Sequence, residues 1–173
     1  SATSMQLGKK NNENLSPYAW SKAKNVELIR NFSKWYNLKY SLAYFFNVYG
    51  AKQIRSGAMA SVIGVFERQY NKKQKLTVVK PGTQKRDFTH IDDVINGTVL
   101  CAIKGRKTAY YIGSGKAYSV IKIAKRFKNK IKYVGKRPGE KFTGKANLKL
   151  AKKELGYKPQ KDLLNYIDNF IKD

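Results

Sequence analysis

Ser16-Pro17-Tyr18-Ala19-Trp20-Ser21-Lys22 is the stretch on which the fold turns. Ser16 is a helix N-cap residue and Pro17 suits the first helical position, so a helix begins here. Residues at i and i+4 share a helical face, which sets the ammonium of Lys22 beside the phenol of Tyr18. A free phenol ionises near pH 10, and a cation within roughly 4–6 Å favours the phenolate, the form a tyrosine needs to act as a base. The spacing recurs at Tyr118/Lys122 and Tyr157/Lys161 in this chain of 12 tyrosines, so spacing alone selects nothing. Pro159 breaks the third pair, and the second opens an ordinary amphipathic segment.

Working outward, Ala19, Ala23, Val26, Ile29, Phe32 and Tyr36 keep helical spacing over 17–36, and Asn37 is a plausible stop. Residues 39–46 then read as a buried aromatic strand ending in Asn47-Val48-Tyr49-Gly50. A helix, a short turn and a strand make half of a parallel βαβ unit. Ligands of such sheets lie beyond the carboxyl ends of the strands, where Asn47 would stand. Further on, strands are expected at 76–79, 86–91, 110–112 and 131–134. Helices are expected at 58–70, 92–103, 119–127, 148–155 and 163–171. Upstream, Ser1-Ala2-Thr3-Ser4 is small and polar, followed by a polar loop through Asn14.

The 173 residues suffice for one sizeable core, and 42% hydrophobic content describes a globular chain. One cysteine and one histidine leave no internal disulfide and no zinc cluster, which points to a reducing compartment and no structural metal. No apolar run approaches 18 residues and no signal pattern opens the chain, so a soluble, cytoplasmic protein without a membrane partner is expected. The net charge of +25 raises the reading of a basic nucleic-acid-binding module. Its distribution favours a solvated lysine surface instead. In Lys130-Ile131-Lys132-Tyr133-Val134 charge alternates with apolar residues, and Lys149, Lys152 and Lys153 share the polar side of a helix.

Thr3-Ser4, Tyr18 to Lys22, Phe45 to Gly50 and Gly82 to Asp93 (Gly-Thr-Gln-Lys-Arg-Asp-Phe-Thr-His-Ile-Asp-Asp) stand in an order and spacing that resembles the NAD-dependent nucleotide-sugar epimerase/dehydratase family of extended short-chain dehydrogenases. Ile112-Gly113-Ser114-Gly115, Arg137-Pro138-Gly139-Glu140 and Leu155-Gly156-Tyr157-Lys158-Pro159 fit the same family, so the resemblance spans nearly the whole chain. It implies an α/β fold: the C-terminal part of a Rossmann-like parallel sheet plus a small α/β substrate-binding domain. Residues 1–50 would belong to the NAD-binding domain with its catalytic helix. Residues 51–173 would be mainly the substrate domain, with some segments returning to the Rossmann sheet.

The resemblance further implies UDP-glucose/UDP-galactose 4-epimerisation through a transient keto sugar, with NAD as cofactor and a nucleotide-sugar as substrate. A dehydratase or another epimerase of the family is the alternative. Tyr18 would take the sugar hydroxyl proton while hydride passes to NAD, Lys22 would favour the phenolate and hold the nicotinamide ribose, and Thr3 would hydrogen-bond the reacting oxygen. Phe45 matches the cofactor side. Asn47, Arg86 and Arg137 match positions that hold the nucleotide diphosphate, and a guanidinium fork suits phosphate oxygens. Glu140 matches an acidic position at the nucleotide ribose. The bland reading of Arg86 is a salt bridge to Asp87, Asp92 or Asp93, and that of Glu140 a solvated loop.

Two departures stand out. Lys80-Pro81-Gly82 replaces the family's usual Gly-Asp-Gly, and the glycine-rich strand-turn-helix that cradles a dinucleotide pyrophosphate is not in these 173 residues. Gly113-Ser114-Gly115 comes too late and lacks the third glycine. The chain is therefore expected to be the C-terminal portion of an enzyme, inactive alone, and compatible with a homodimer when full length.

Overall fold

The computed structural model describes residues 2–3, 16–57, 59–106, 108–135 and 143–172. Strand β1 (Ala2–Thr3) leads to helix α1 (Pro17–Tyr36), and α1 to β2 (Leu42–Phe45) and β3 (Val48–Tyr49). The start of α1 is as its sequence dictates, the Ser16 hydroxyl accepting from the Ala19 N–H with Pro17 in the first turn. Asn37 ends it in the left-handed conformation at φ 51°. Helix α2 (Val62–Asn71) and strand β4 (Leu76–Val79) follow, then β5 (Lys85–Asp87), β6 (Thr89–His90) and helix α3 (Ile91–Lys104). The chain continues through β7 (Ala109–Ile112), β8 (Ala117–Ser119), α4 (Val120–Arg126), β9 (Ile131–Val134) and β10 (Thr143–Gly144), and closes with a π-turn (Ala151–Leu155) and α5 (Leu163–Phe170).

The described residues form four small sheets. The first, in the order β1-β2-β7, is parallel throughout, with Ala2 opposite Tyr44, Thr3 opposite Phe45, and Leu42 to Phe45 opposite Ala109 to Ile112. Parallel neighbours require crossover connections, and α1 supplies the one from β1 to β2. β3 pairs with β6 and β4 with β9, both in parallel, while β5 lies between β10 (parallel) and β8 (antiparallel).

Two cores hold these sheets. One gathers Val26, Leu42, Tyr44, Phe46, Cys101, Tyr110, Ile112, Leu155 and Tyr157 around the first sheet. The other gathers Tyr49, Ile63, Phe66, Leu76, Val78, Phe88, Ile123, Phe127 and Ile167 between α2, β4, α4 and α5. Helix α3 approaches β7 closely because Gly97 has no Cβ; one placed there would come 2.5 Å from the Ile112 side chain.

Several expectations are corrected. The continuous strand over 86–91 is two strands in two sheets, because Phe88 between them turns into the second core. Helix α2 starts at Val62 rather than 58, since the Ser61 hydroxyl caps the Gly64 N–H and fixes the first turn. Helix 148–155 is mostly a π-turn ended by Gly156 at φ 71°. At β9, Lys130 and Lys132 are exposed as expected, but Tyr133 is exposed with them, and among the described residues β9 pairs only with β4.

Candidate active site

Parallel sheets present ligands at the carboxyl ends of their strands, and the register assembles the expected residues there. Thr3 ends β1 directly across from Phe45, which ends β2, and Asn47 stands two residues beyond. The placement of Thr3 is given by its backbone pairing alone. On α1, the Lys22 ammonium sits 5.8 Å from the centre of the Tyr18 ring, and Tyr18 is 47% exposed rather than sealed in a core.

The other two Tyr/Lys pairs have different fates. Lys122 also lies over Tyr118, at 5.3 Å, but the Tyr118 hydroxyl donates to the Asp162 carboxylate. Tyr157 is fully buried and its hydroxyl donates to the Gly113 carbonyl at 3.0 Å. Burial and a neighbouring carboxylate, Asp93 first, push this phenol well above the usual tyrosine range. Both are framework tyrosines. Tyr18 alone of the three is on the helix that connects β1 to β2.

Asn47 is exposed, takes a left-handed backbone (φ 26°), and reaches across from the first sheet. Its amide donates to the Asp87 carbonyl at 2.8 Å, and its own carbonyl accepts from the Thr89 N–H at 3.3 Å. Arg86 therefore sits one residue from the strand position that Asn47 grips. It is half-buried on β5, opposite Gly144 on one side and Tyr118 on the other. The three acids weighed as salt-bridge partners for Arg86 have engagements elsewhere. Asp87 is fully buried and accepts from Ser114 and Gly115 and from the Ala146 N–H. Asp93 accepts from the N–H groups of Gln160 and Lys161, and Asp92 lies near His90 and Lys161. Arg137 and Glu140 lie outside the described residues.

A second buried acid, Glu67, was not singled out from the sequence. Its carboxylate is fully buried and accepts from Gln53 Nε2 (2.8 Å), the Tyr166 hydroxyl (2.7 Å) and Arg55 Nε (2.9 Å), tying the loop after Gly50 to α2 and α5. The only advance sign is chemical: in a chain this rich in lysine, an acid on the apolar side of a helix needs partners. Among the described residues no group of His, Cys, Asp and Glu is suited to hold a metal ion, and no helix is long and apolar enough to cross a membrane.

A parallel sheet whose neighbouring strands are joined through a helix defines a Rossmann-like α/β protein. The model of the NAD dependent epimerase/dehydratase family matches residues 3–113, and the chain belongs to that family. It is 32% identical over 163 residues to a protein of Methanocaldococcus jannaschii provisionally named UDP-glucose 4-epimerase, covering 91% of this chain and 52% of that one. Among solved structures it is similar to UDP-glucose 4-epimerase of Thermotoga maritima with UDP-glucose (26% identity, TM-score 0.84, 91% of this chain and 52% of that one). It is equally similar to UDP-glucuronic acid 4-epimerase of Bacillus cereus in complex with UDP-glucuronic acid and NAD (26%, TM-score 0.84, 99% and 60%). The chain spans about half the length of the curated relatives it matches.

Proposed function

We propose that this chain carries the proton-transfer and diphosphate-binding part of an NAD-dependent nucleotide-sugar epimerase acting on UDP-glucose and UDP-galactose at C4. The observation that supports this most is the register of β1 on β2, which lines up Thr3, Phe45 and Asn47 at one sheet edge served by the Tyr18/Lys22 helix. The similar proteins provisionally or firmly named UDP-glucose 4-epimerase add to it. Residues 1–50 form the cofactor side and the rest mainly the substrate side, with β7 completing the first sheet.

In this reading the Tyr18 phenolate accepts the proton of the sugar hydroxyl and the resulting phenol returns it, Thr3 hydrogen-bonds the reacting oxygen, and Asn47, Arg86 and Arg137 hold the diphosphate, with Glu140 at the ribose. An exposed phenol beside an ammonium fits a nicotinamide ribose, so Tyr18, Lys22 and Phe45 would hold NAD. When bound, NAD supplies a reversible acceptor for the hydrogen of the reacting carbon. Lys22 orients the ribose and Tyr18 moves the proton. Because a glycine-rich pyrophosphate cradle is not among the 173 residues, we expect turnover only when a dinucleotide-binding part is supplied.

The deciding experiment incubates the chain, alone and joined to a family dinucleotide-binding half, with UDP-glucose and NAD. Formation of UDP-galactose by the joined form only is expected. Release of water to give a 4-keto-6-deoxy sugar would replace epimerase by dehydratase.

A further inference from the structure

Asp87 has a bonding pattern out of proportion to a strand residue. Oδ1 accepts from the Ser114 N–H at 2.8 Å and the Ser114 hydroxyl at 2.7 Å, and Oδ2 accepts from the N–H groups of Gly115 at 2.9 Å and Ala146 at 3.0 Å. Its main-chain carbonyl takes the Asn47 amide as well. The donors come from three places distant in sequence: the end of β2, the turn after β7, and the stretch after β10. Gly113 completes the fit. A Cβ there would overlap Ala146 and stand 3.1 Å from Asp87 Oδ2.

A fully buried carboxylate costs several kcal/mol unless its lone pairs are filled, and here four donors fill them. Neighbouring residues of a strand point to opposite sides, so fixing Asp87 inward fixes the direction in which Arg86 leaves the strand. The same residue fixes Asn47 from its backbone side. Asp87 thus joins the sheet that carries the Tyr18/Lys22 helix to the sheet that carries Arg86.

We infer that Asp87 is a positioning residue for diphosphate recognition: it touches no ligand, and it sets Asn47 and Arg86 at the spacing that a nucleoside diphosphate requires. The inference rests on the nucleotide-sugar reading above and goes beyond it by naming what holds the two contacts in register.

The test titrates the chain and its variants with UDP and follows amide hydrogen exchange, at a temperature where every variant used is folded. Asp87→Asn keeps the volume but turns a donor toward N–H groups. It should speed exchange at Ser114, Gly115 and Ala146 and weaken UDP binding about tenfold or more. With Asn47→Ala added, the loss should be smaller than the product of the two single losses, because both act on one unit. Should Asp87→Asn fail to fold, Ser114→Ala removes one donor and is expected to weaken UDP binding about threefold. A folded Asp87→Asn, or failing it Ser114→Ala, that binds UDP as the parent does would overturn the positioning role. A parent chain that binds no UDP would instead overturn the nucleotide reading, and faster exchange in the variant would then show an architectural clamp only.

Discussion

The ammonium of Lys22 lies 5.8 Å from the centre of the Tyr18 ring, on the helix that joins β1 to β2. The pair is set at the helix start, where the Ser16 cap fixes the first turn. Replacing Tyr18 by Phe keeps the ring and removes only the hydroxyl. In the chain joined to a family dinucleotide-binding half, Tyr18→Phe should lower kcat by about 10²–10⁴ and leave the Kd for UDP-glucose unchanged. Equal losses in both constants would assign Tyr18 to binding.

Arg86→Ala should behave in the opposite way. In the proposed reading it loses a charge-assisted diphosphate contact worth about 1.5–3 kcal/mol, so UDP should bind about 10–150-fold more weakly. Lys85→Ala, one position earlier on the same strand and exposed, serves as control and should change affinity far less. A calorimetric titration of both variants settles whether position or mere positive charge matters.

Close approach at the end of β7 makes Gly113 a stability determinant. Gly113→Ala forces a methyl against Ala146 and beside Asp87 Oδ2, an overpacking that should cost about 2 kcal/mol. For a chain of this size the Tm should fall by about 4–8 °C. Gly135→Ala meets open space and should leave Tm where it is.

Glu67→Ala should unfold the chain more readily than Arg55→Ala. Removing the acid leaves the half-buried Tyr166 hydroxyl and the Gln53 amide without their acceptor, at a cost of about 3 kcal/mol. Arg55 is 44% exposed, so its loss is softened by water on one side, although it leaves Glu67 short of one donor. Urea midpoints of the two variants provide the comparison.

Stability should fall at both ends of the pH scale for different reasons. Burial raises the ionisation of the Tyr49, Tyr157 and Tyr166 phenols well above the usual tyrosine value. A raised acid is neutral when folded, so this contribution is complete below about pH 10, where unfolded tyrosine begins to ionise, and is lost above it. Asp162 is opposite. Burial opposes its ionisation, but the Lys116 ammonium and the N–H groups of Leu164 and Asn165 outweigh burial and hold it below the ordinary carboxylate range. Its contribution is present above the unfolded carboxylate value near pH 4 and disappears as pH drops through the folded one. Burial also pushes the Cys101 thiol up to about 11, so alkylation near neutral pH should follow unfolding rather than precede it. Chemical denaturation from acid to alkali, with phenolate absorbance followed alongside, measures these effects.

Local chemistry was legible in the sequence and distant pairing was not. The cap and stop of α1, Ser16 and Asn37, announce themselves, and the strands at 76–79 and 131–134 match their apolar runs. The break at Phe88 depends on which core receives its ring, and β6 exists only because β3 lies beside it. The π-turn at Ala151–Leu155 has the same apolar spacing as an ordinary helix, so periodicity does not reveal it. For the site, Tyr18, Lys22 and Asn47 were readable because a helix face and a strand end are local features. Asp87 was seen only as a partner for Arg86, since its donors lie 27 to 59 residues away.

Glu67, Asp87 and Asp93 are enclosed while the lysines stand mostly in water, which separates two properties usually adjusted together. Electrophoretic behaviour is carried mostly by exposed lysines outside the buried networks. About a dozen exposed Lys→Glu exchanges would bring the +25 chain to neutrality without touching one enclosed carboxylate. The isoelectric point is accordingly a free variable of this fold, open to drift or to engineering, whereas its three enclosed acids are as constrained as any core leucine.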